Sequence, residues 1–145
     1  MTDATSIHLA SRPEGEPTSD NFRTETAPLP DLKDGEVAIR VIWLSLDPYM
    51  RGRMDDGPSY ADPVPVGGVM TGQGVGEVID SKADGYQTGD IVTGVTGWTT
   101  HAVLPAKDLR KLDPKTAPIQ TALHVLGMTG MTAWAGLTEI LGIKE

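Results

Sequence analysis

Cysteine is absent from the 145 residues. That excludes thiolate zinc sites, CxxC redox chemistry and any disulfide framework, and it leaves the cytoplasm as the expected compartment. Long apolar runs are missing as well. Nothing approaches the ~18 residues of a membrane span, and the N-terminal stretch MTDATSIHLASRPEG lacks the basic and apolar regions of a signal peptide. Histidine is scarce: His8, His101 and His124 are scattered without ligand spacing, so no metal site is expected. Basic residues are outnumbered, 12 Lys and Arg against 20 Asp and Glu, for a net charge of −8. Such a chain, with no Lys/Arg cluster, repels a phosphate backbone. Neither nucleic acid nor a membrane is an expected partner. Internal repeats and low-complexity tracts are also absent.

What is present points to β-structure. The length suits one domain and is enough to bury roughly 70% of the unfolded surface. The 17 glycines and 11 prolines fit short strands joined by tight turns. SIHLASRP (6–13) reads as a strand, EGEPTSDN (14–21) as a turn cluster and FRTETAPLP (22–30) as an extended segment stopped by prolines. EVAIRVIWLSL (36–46) is the strongest strand, with Val37, Ile39, Val41 and Trp43 alternating with Ala38, Arg40 and Ile42. DPYMRGRM (47–54) reads as one helical turn, with Asp47 as N-cap and Pro48 at the first helical position.

The run TGQGVGEVID (71–80) resembles a nucleotide-binding loop at first sight. The dinucleotide fingerprint G-x-G-x-x-G, begun at Gly72 and Gly74, needs its third glycine at position 77, which is Glu77. A helix should follow, yet VIDSKADGYQTGD (78–90) has no helical period. The run therefore reads as a long strand whose glycines permit bulging or close backbone approach. GYQTGDIVTGV (85–95), WTTHAVLP (98–105) and LRKLD (109–113) complete a set of closely spaced strands, which suggests a small barrel. Only APIQTALHVL (117–126) and TGMTAWAGLTEIL (129–141) look helical. Apolar residues fall near helical spacing at Met128, Met131, Trp134, Leu137 and Leu141, beside a small-residue stripe of Gly130, Ala133 and Gly136. Ser45, His101 and Asp47 do not suggest a serine nucleophile, because no G-x-S-x-G elbow surrounds Ser45.

Asp47-Pro48-Tyr49-Met50-Arg51, Gly72 to Val78, Gly89-Asp90, Gly97-Trp98 and Gly127-Met128-Thr129-Gly130-Met131-Thr132-Ala133 together resemble the N-terminal portion of the medium-chain dehydrogenase/reductase superfamily. The resemblance is to its zinc-independent branch of prostaglandin reductases, leukotriene hydroxydehydrogenases and alkenal double-bond reductases. Zinc-dependent members carry a Cys after the long strand and Gly-His-Glu before the glycine strand. In this chain those regions read WLSLDPY and VGGVMTGQG.

The resemblance implies a mainly β, GroES-like partly open β-barrel with helices near the C-terminus. Residues 1–126 would form the substrate-side barrel. Residues 127–145 would begin a helix leading into a Rossmann domain that the chain does not contain, so this segment alone is expected to be inactive. The implied reaction is hydride transfer from NADPH to an α,β-unsaturated ketone or aldehyde, in a protein for which a homodimer is compatible at full length. A stand-alone barrel that binds a small molecule or protein without catalysis is the alternative.

The resemblance also implies site residues. Tyr49, Met50, Arg51, Val95, Thr96 and Trp98 are candidates for the substrate pocket. Met128, Thr129 and Thr132 are candidates for the nicotinamide side of NADPH. Tyr49 either lines the pocket, bonds a carbonyl oxygen or simply packs; no catalytic residue is otherwise assigned in this segment. Arg51 either attracts an anionic substrate or pairs with Asp47 or Asp55. Trp98 either touches substrate or belongs to the barrel-end core. For Thr129 the other reading is helix capping, and for Met128 it is core packing.

Overall fold

The computed structural model describes residues 2–143. The last two residues of the 127–145 segment, Lys144 and Glu145, lie outside the described residues. Seven strands are formed: β1 (Asp3–Leu9), β2 (Phe22–Pro28), β3 (Glu36–Leu44), β4 (Gln73–Ser81), β5 (Ile91–Val95), β6 (His101–Pro105) and β7 (Arg110–Leu112). Two α-helical segments join them, α1 (Tyr49–Gly52) and α2 (Met128–Ala135). β1 and β2 form a two-stranded sheet, and the others form a five-stranded sheet in the order β6-β3-β4-β5-β7. Every pairing is antiparallel. The mainly β body with a helix near the C-terminus is as the sequence led us to expect. The sheets do not close into a barrel. β1 is stitched to the rest by bridges from Ser6 to Thr99 and His8 to Val69, and by Ile7 N donating to Trp98 O at 2.9 Å.

The apolar alternation of β3 explains its interior place, between β6 and β4. Val37 and Ile39 are fully buried, in one cluster with Val78, Val92, Ala102 and Leu109. A second cluster joins Leu9, Met54, Val64 and Met70, with Phe22 and Trp98 packed on it. The two rings stack with centroids 5.7 Å apart. Through Met54 this second cluster seats the end of the 47–54 turn against β1.

The glycine run lies almost entirely in β4, and crowding accounts for it. A Cβ at Gly72 would stand 2.9 Å from the Trp98 ring, and one at Gly74 would collide with the Thr96 hydroxyl. At Gly76 it would stand 2.5 Å from the Arg40 carbonyl oxygen. The β3–β4 register shifts between Val41 and Trp43, opposite Gly76 and Val75, which is the local signature of a bulge.

Several boundaries differ from the expectation. β1 starts earlier and ends at Leu9, because its ladder with β2 runs only from Asp3–Pro28 to Leu9–Phe22. The segment 117–126 holds only a 3-10 helix at Ile119–Leu123, which ends where His124 turns to φ −138° and ψ −96°. α2 gives way to a π-helical turn at Gly136–Ile140, closed by Leu141 N donating to Gly136 O at 3.0 Å. Pro48, not Asp47, is the N-cap of α1, and Asp47 contributes its carbonyl to Met50 N at 3.0 Å.

Candidate functional site

The 47–55 turn divides its side chains among three directions, as helical spacing requires. Met50 and Met54, four residues apart, are 3% and 4% exposed and point into the core. Met50 also accepts a hydrogen bond from Asp47 N at its Sδ, at 3.5 Å. Arg51 donates to Asp55 Oδ1 at 2.6 Å, to Gly15 O at 3.0 Å and to Pro13 O at 3.3 Å. Tyr49 and Arg53, again four apart, share the remaining direction. Tyr49 is half-buried. Burial pushes its phenol above the usual 10.0, with Asp47 and Tyr60 adding to the rise and Arg53 opposing it. The phenol is thus held in its protonated, donating form.

Val95 and Thr96 share a different groove, of about 440 Å³, with Gly97, Val69, Pro30 and His101. Val95 is 62% exposed, whereas Thr96 is buried and donates its hydroxyl to Gly97 O at 3.0 Å. Trp98 follows on the inner side, stacked on Phe22, with its Nε1 buried and unpartnered among the described residues.

A third surface opens at α2. Gln73, Arg110, Leu126, Met128, Met131 and Thr132 line a groove of about 470 Å³. Its lining is apolar at Leu126, Met128 and Met131 and polar at Gln73, Arg110 and Thr132. Met128 and Met131 are more than half exposed. Thr132 donates its hydroxyl to Met128 O at 2.8 Å, and Thr129 donates to His124 O at 2.9 Å. Both hydroxyl protons are spent within the chain, so each of these exposed residues is left with an accepting oxygen, Thr132 within the groove and Thr129 outside its lining. Arg110 is exposed and makes no ion pair among the described residues. This groove shares no lining residue with the one at Val95.

The structure thus brings Tyr49, Met50 and Arg51 onto one turn, Val95 and Thr96 into one groove, and Met128 and Thr132 into another. Gln73, Arg110 and Arg53 are additions that sequence reasoning missed. Gln73 was hidden inside the glycine run, and Arg110 in a short strand with no motif. Arg53 had a readable signal in its i,i+4 relation to Tyr49. Among the described residues, no three His, Asp or Glu side chains gather where a metal ion would sit. No helix of the described residues is long and apolar enough to cross a membrane.

Residues 5–112 match the family described as the N-terminal domain of oxidoreductase. The chain is 47% identical over 137 residues to the NADPH-dependent curcumin reductase of Escherichia coli K12, covering 94% of this chain and 40% of that protein. It is 39% identical over 147 residues to prostaglandin reductase 1 of Bos taurus, covering 99% of this chain and 43% of that protein. Among solved structures, CurA from Vibrio vulnificus in complex with NADPH superposes with a TM-score of 0.89 at 41% identity, covering 97% of this chain and 42% of that one. The chain therefore spans less than half the length of these relatives. With its fold, its motifs and these similarities in agreement, the chain belongs to the N-terminal oxidoreductase-domain family of the zinc-independent medium-chain dehydrogenase/reductases.

Proposed function

We propose that this chain is the substrate-side part of an NADPH-dependent reductase that saturates the double bond of α,β-unsaturated ketones or aldehydes. The observation that carries the reading is the 47% identity, over 94% of the chain, to an NADPH-dependent curcumin reductase. On this reading residues 1–126 hold substrate, and the segment from Gly127 onward leads toward a cofactor domain.

The α2 groove fits the nicotinamide end of the cofactor. Met128 and Met131 offer an apolar wall to a flat ring. The Thr132 oxygen, its own proton committed to Met128 O, is left to accept from a carboxamide N–H. Thr129, with its proton committed to His124 O, is the second such acceptor, and Gln73 in the lining provides both a donor and an acceptor. When bound, the reduced nicotinamide supplies a hydride for the β-carbon of the enone. The protein's part is then electrostatic. Charge gathers on the carbonyl oxygen as the β-carbon is reduced, and a donor aimed there stabilises it. Tyr49, kept protonated by its raised pKa, is the donor we assign. Val95, Thr96 and Trp98 shape the substrate side, and Met50 and Arg51 fix the turn that presents Tyr49.

The test is NADPH consumption by the complete translation product of the gene, with benzalacetone and with its saturated counterpart. Turnover of the enone alone is the expected result. Turnover of neither, or of the saturated ketone equally, overturns the proposal.

A further inference from the structure

The corner around the 47–56 turn has three arginines and two paired acids. Arg51 is paired with Asp55 at 2.6 Å, and Arg12 with Asp56 at 3.1 Å. Arg12 further donates to Met54 O at 2.7 Å. Arg53 is the odd one. Its Nε is buried and has no hydrogen-bond partner, and it makes no ion pair among the described residues. A buried guanidinium N–H left without an acceptor costs free energy that a fold ordinarily avoids. The neighbouring acids do not relieve it, and Asp47 makes no ion pair with it either. Arg53 also sits one helical turn after Tyr49, with its own backbone N–H donating to Tyr49 O at 3.2 Å. The two side chains therefore leave the turn on the same face, away from the Met50–Met54 core face and from the Arg51–Asp55 pair.

We propose that Arg53, beside Tyr49, forms a carboxylate-recognition subsite for an acidic substituent carried by the enone substrate. The inference rests on the reading of this turn as part of the substrate pocket. A guanidinium is a planar fork of donors that matches a carboxylate in two parallel hydrogen bonds. Tyr49 keeps its single O–H for the enone carbonyl oxygen and leaves the carboxylate to the fork on the same face. The setting makes such a fork selective. The chain carries a net charge of −8, so it repels anions generally and favours one only where a cation stays uncancelled. Arg51 is not the uncancelled cation here, because Asp55 pairs with it and Gly15 O and Pro13 O take two more of its five N–H groups.

The test uses one enone with and without the charge: β-benzoylacrylic acid and its methyl ester, titrated into the chain while NMR follows the Tyr49 ring and the Arg53 Nε–H. We expect both compounds to shift Tyr49, the acid alone to shift Arg53 Nε–H, and the acid to bind about tenfold more tightly. R53Q should abolish that difference while leaving the ester's affinity unchanged. R53K, which keeps the charge but loses the fork, should retain part of it. If acid and ester bind equally and R53Q changes neither, the subsite is overturned and the enone pocket stands. If neither compound shifts Tyr49, the pocket reading falls and the subsite with it. If inorganic phosphate shifts Arg53 as strongly as the acid does, Arg53 is a general anion contact and the substrate subsite is overturned. Should R53Q fail to fold, the comparison of acid, ester and phosphate on the unaltered chain together with R53K still decides.

Discussion

Gly76 lies against the carbonyl of Arg40: a methyl group at position 76 would stand 2.5 Å from that oxygen. The oxygen belongs to the backbone of β3, an interior strand of the five-stranded sheet, and cannot swing aside as a side chain would. G76A should therefore destabilise the chain by about 1–3 kcal/mol, as overpacking in a fixed setting does. Gly52 serves as the control. Nothing lies within 4 Å of its added Cβ, so G52A should stay within about 0.5 kcal/mol of the parent. Urea denaturation of both variants checks the pair. Equal stabilities would mean that the glycine run answers to something other than strand crowding.

That relation also shows what could be read in advance. The failure of the dinucleotide spacing at Glu77 is visible in the sequence, and so is the strand alternative. The alternation of Val37, Ile39 and Val41 locates β3, because period-two burial is a local pattern. Which partner crowds each glycine is not local. Gly72 meets Trp98 and Gly74 meets Thr96, contacts set by which strands become neighbours. The stacking of Trp98 on Phe22 is no more local: it joins residues far apart in the sequence, and the loop between Gly97 and Thr99 gives no sign of it. The Arg51–Asp55 pair follows from i,i+4 spacing, but its added bonds to Pro13 and Gly15 depend on a distant loop. Gln73 and Arg110 meet across β4 and β7, strands that are not adjacent in the sheet, so no short window of sequence could have joined them. The segment 129–141 was expected to be helical throughout. A π-helical turn from Gly136 interrupts it, and a weak helix former at that place was the available hint.

Asp90 gives a prediction in pH. Its carboxylate is held below the usual 3.8, first by the hydrogen bond from Lys111 and then by the backbone N–H of Gln87. The Lys111 contact is 2.6 Å and the Gln87 contact 2.9 Å. A lowered folded pKa means that the unfolded chain takes up the proton more readily. The contribution is complete above the unfolded value and is lost as pH falls through the folded one. The melting-temperature gap between the parent and D90N should be constant from neutral pH down to about pH 5 and should shrink below about pH 4. A gap that widens on acidification would contradict the assignment.

Metal should not matter to the fold. The chain has no cysteine and three scattered histidines, and the described residues hold no cluster of metal-binding side chains. Thermal unfolding in the presence and absence of a strong chelator should coincide. A fall of several degrees on chelation, restored by one divalent ion, would reveal a site formed in some other way.

The last prediction concerns how much of the cofactor this chain can hold. In a Rossmann protein the pyrophosphate sits on a helix N-terminus behind a glycine-rich turn, and much of the affinity arises there. The one stretch of this chain that resembles such a turn is strand β4, where the space beside its glycines is filled by Trp98, Thr96 and Arg40. What remains is the α2 groove. The protons of Thr132 in that groove and of Thr129 just outside its lining already go to Met128 O and His124 O, so each hydroxyl can only accept. Two such bonds at about 1 kcal/mol each, with one ring face against Met128, do not offset an association cost of roughly 4–15 kcal/mol. The 145-residue chain should therefore bind NADPH with a Kd of about 1 mM or weaker. Perturbed resonances should be confined to Gln73, Met128, Thr129, Met131 and Thr132. A fluorescence or NMR titration reads both quantities at once. Saturation at micromolar NADPH would show that this chain holds the pyrophosphate as well, on a surface other than the α2 groove. Weak binding with shifts centred on the 49–53 turn would instead place the nicotinamide away from Met128, and would leave Thr132 with no carboxamide to accept from.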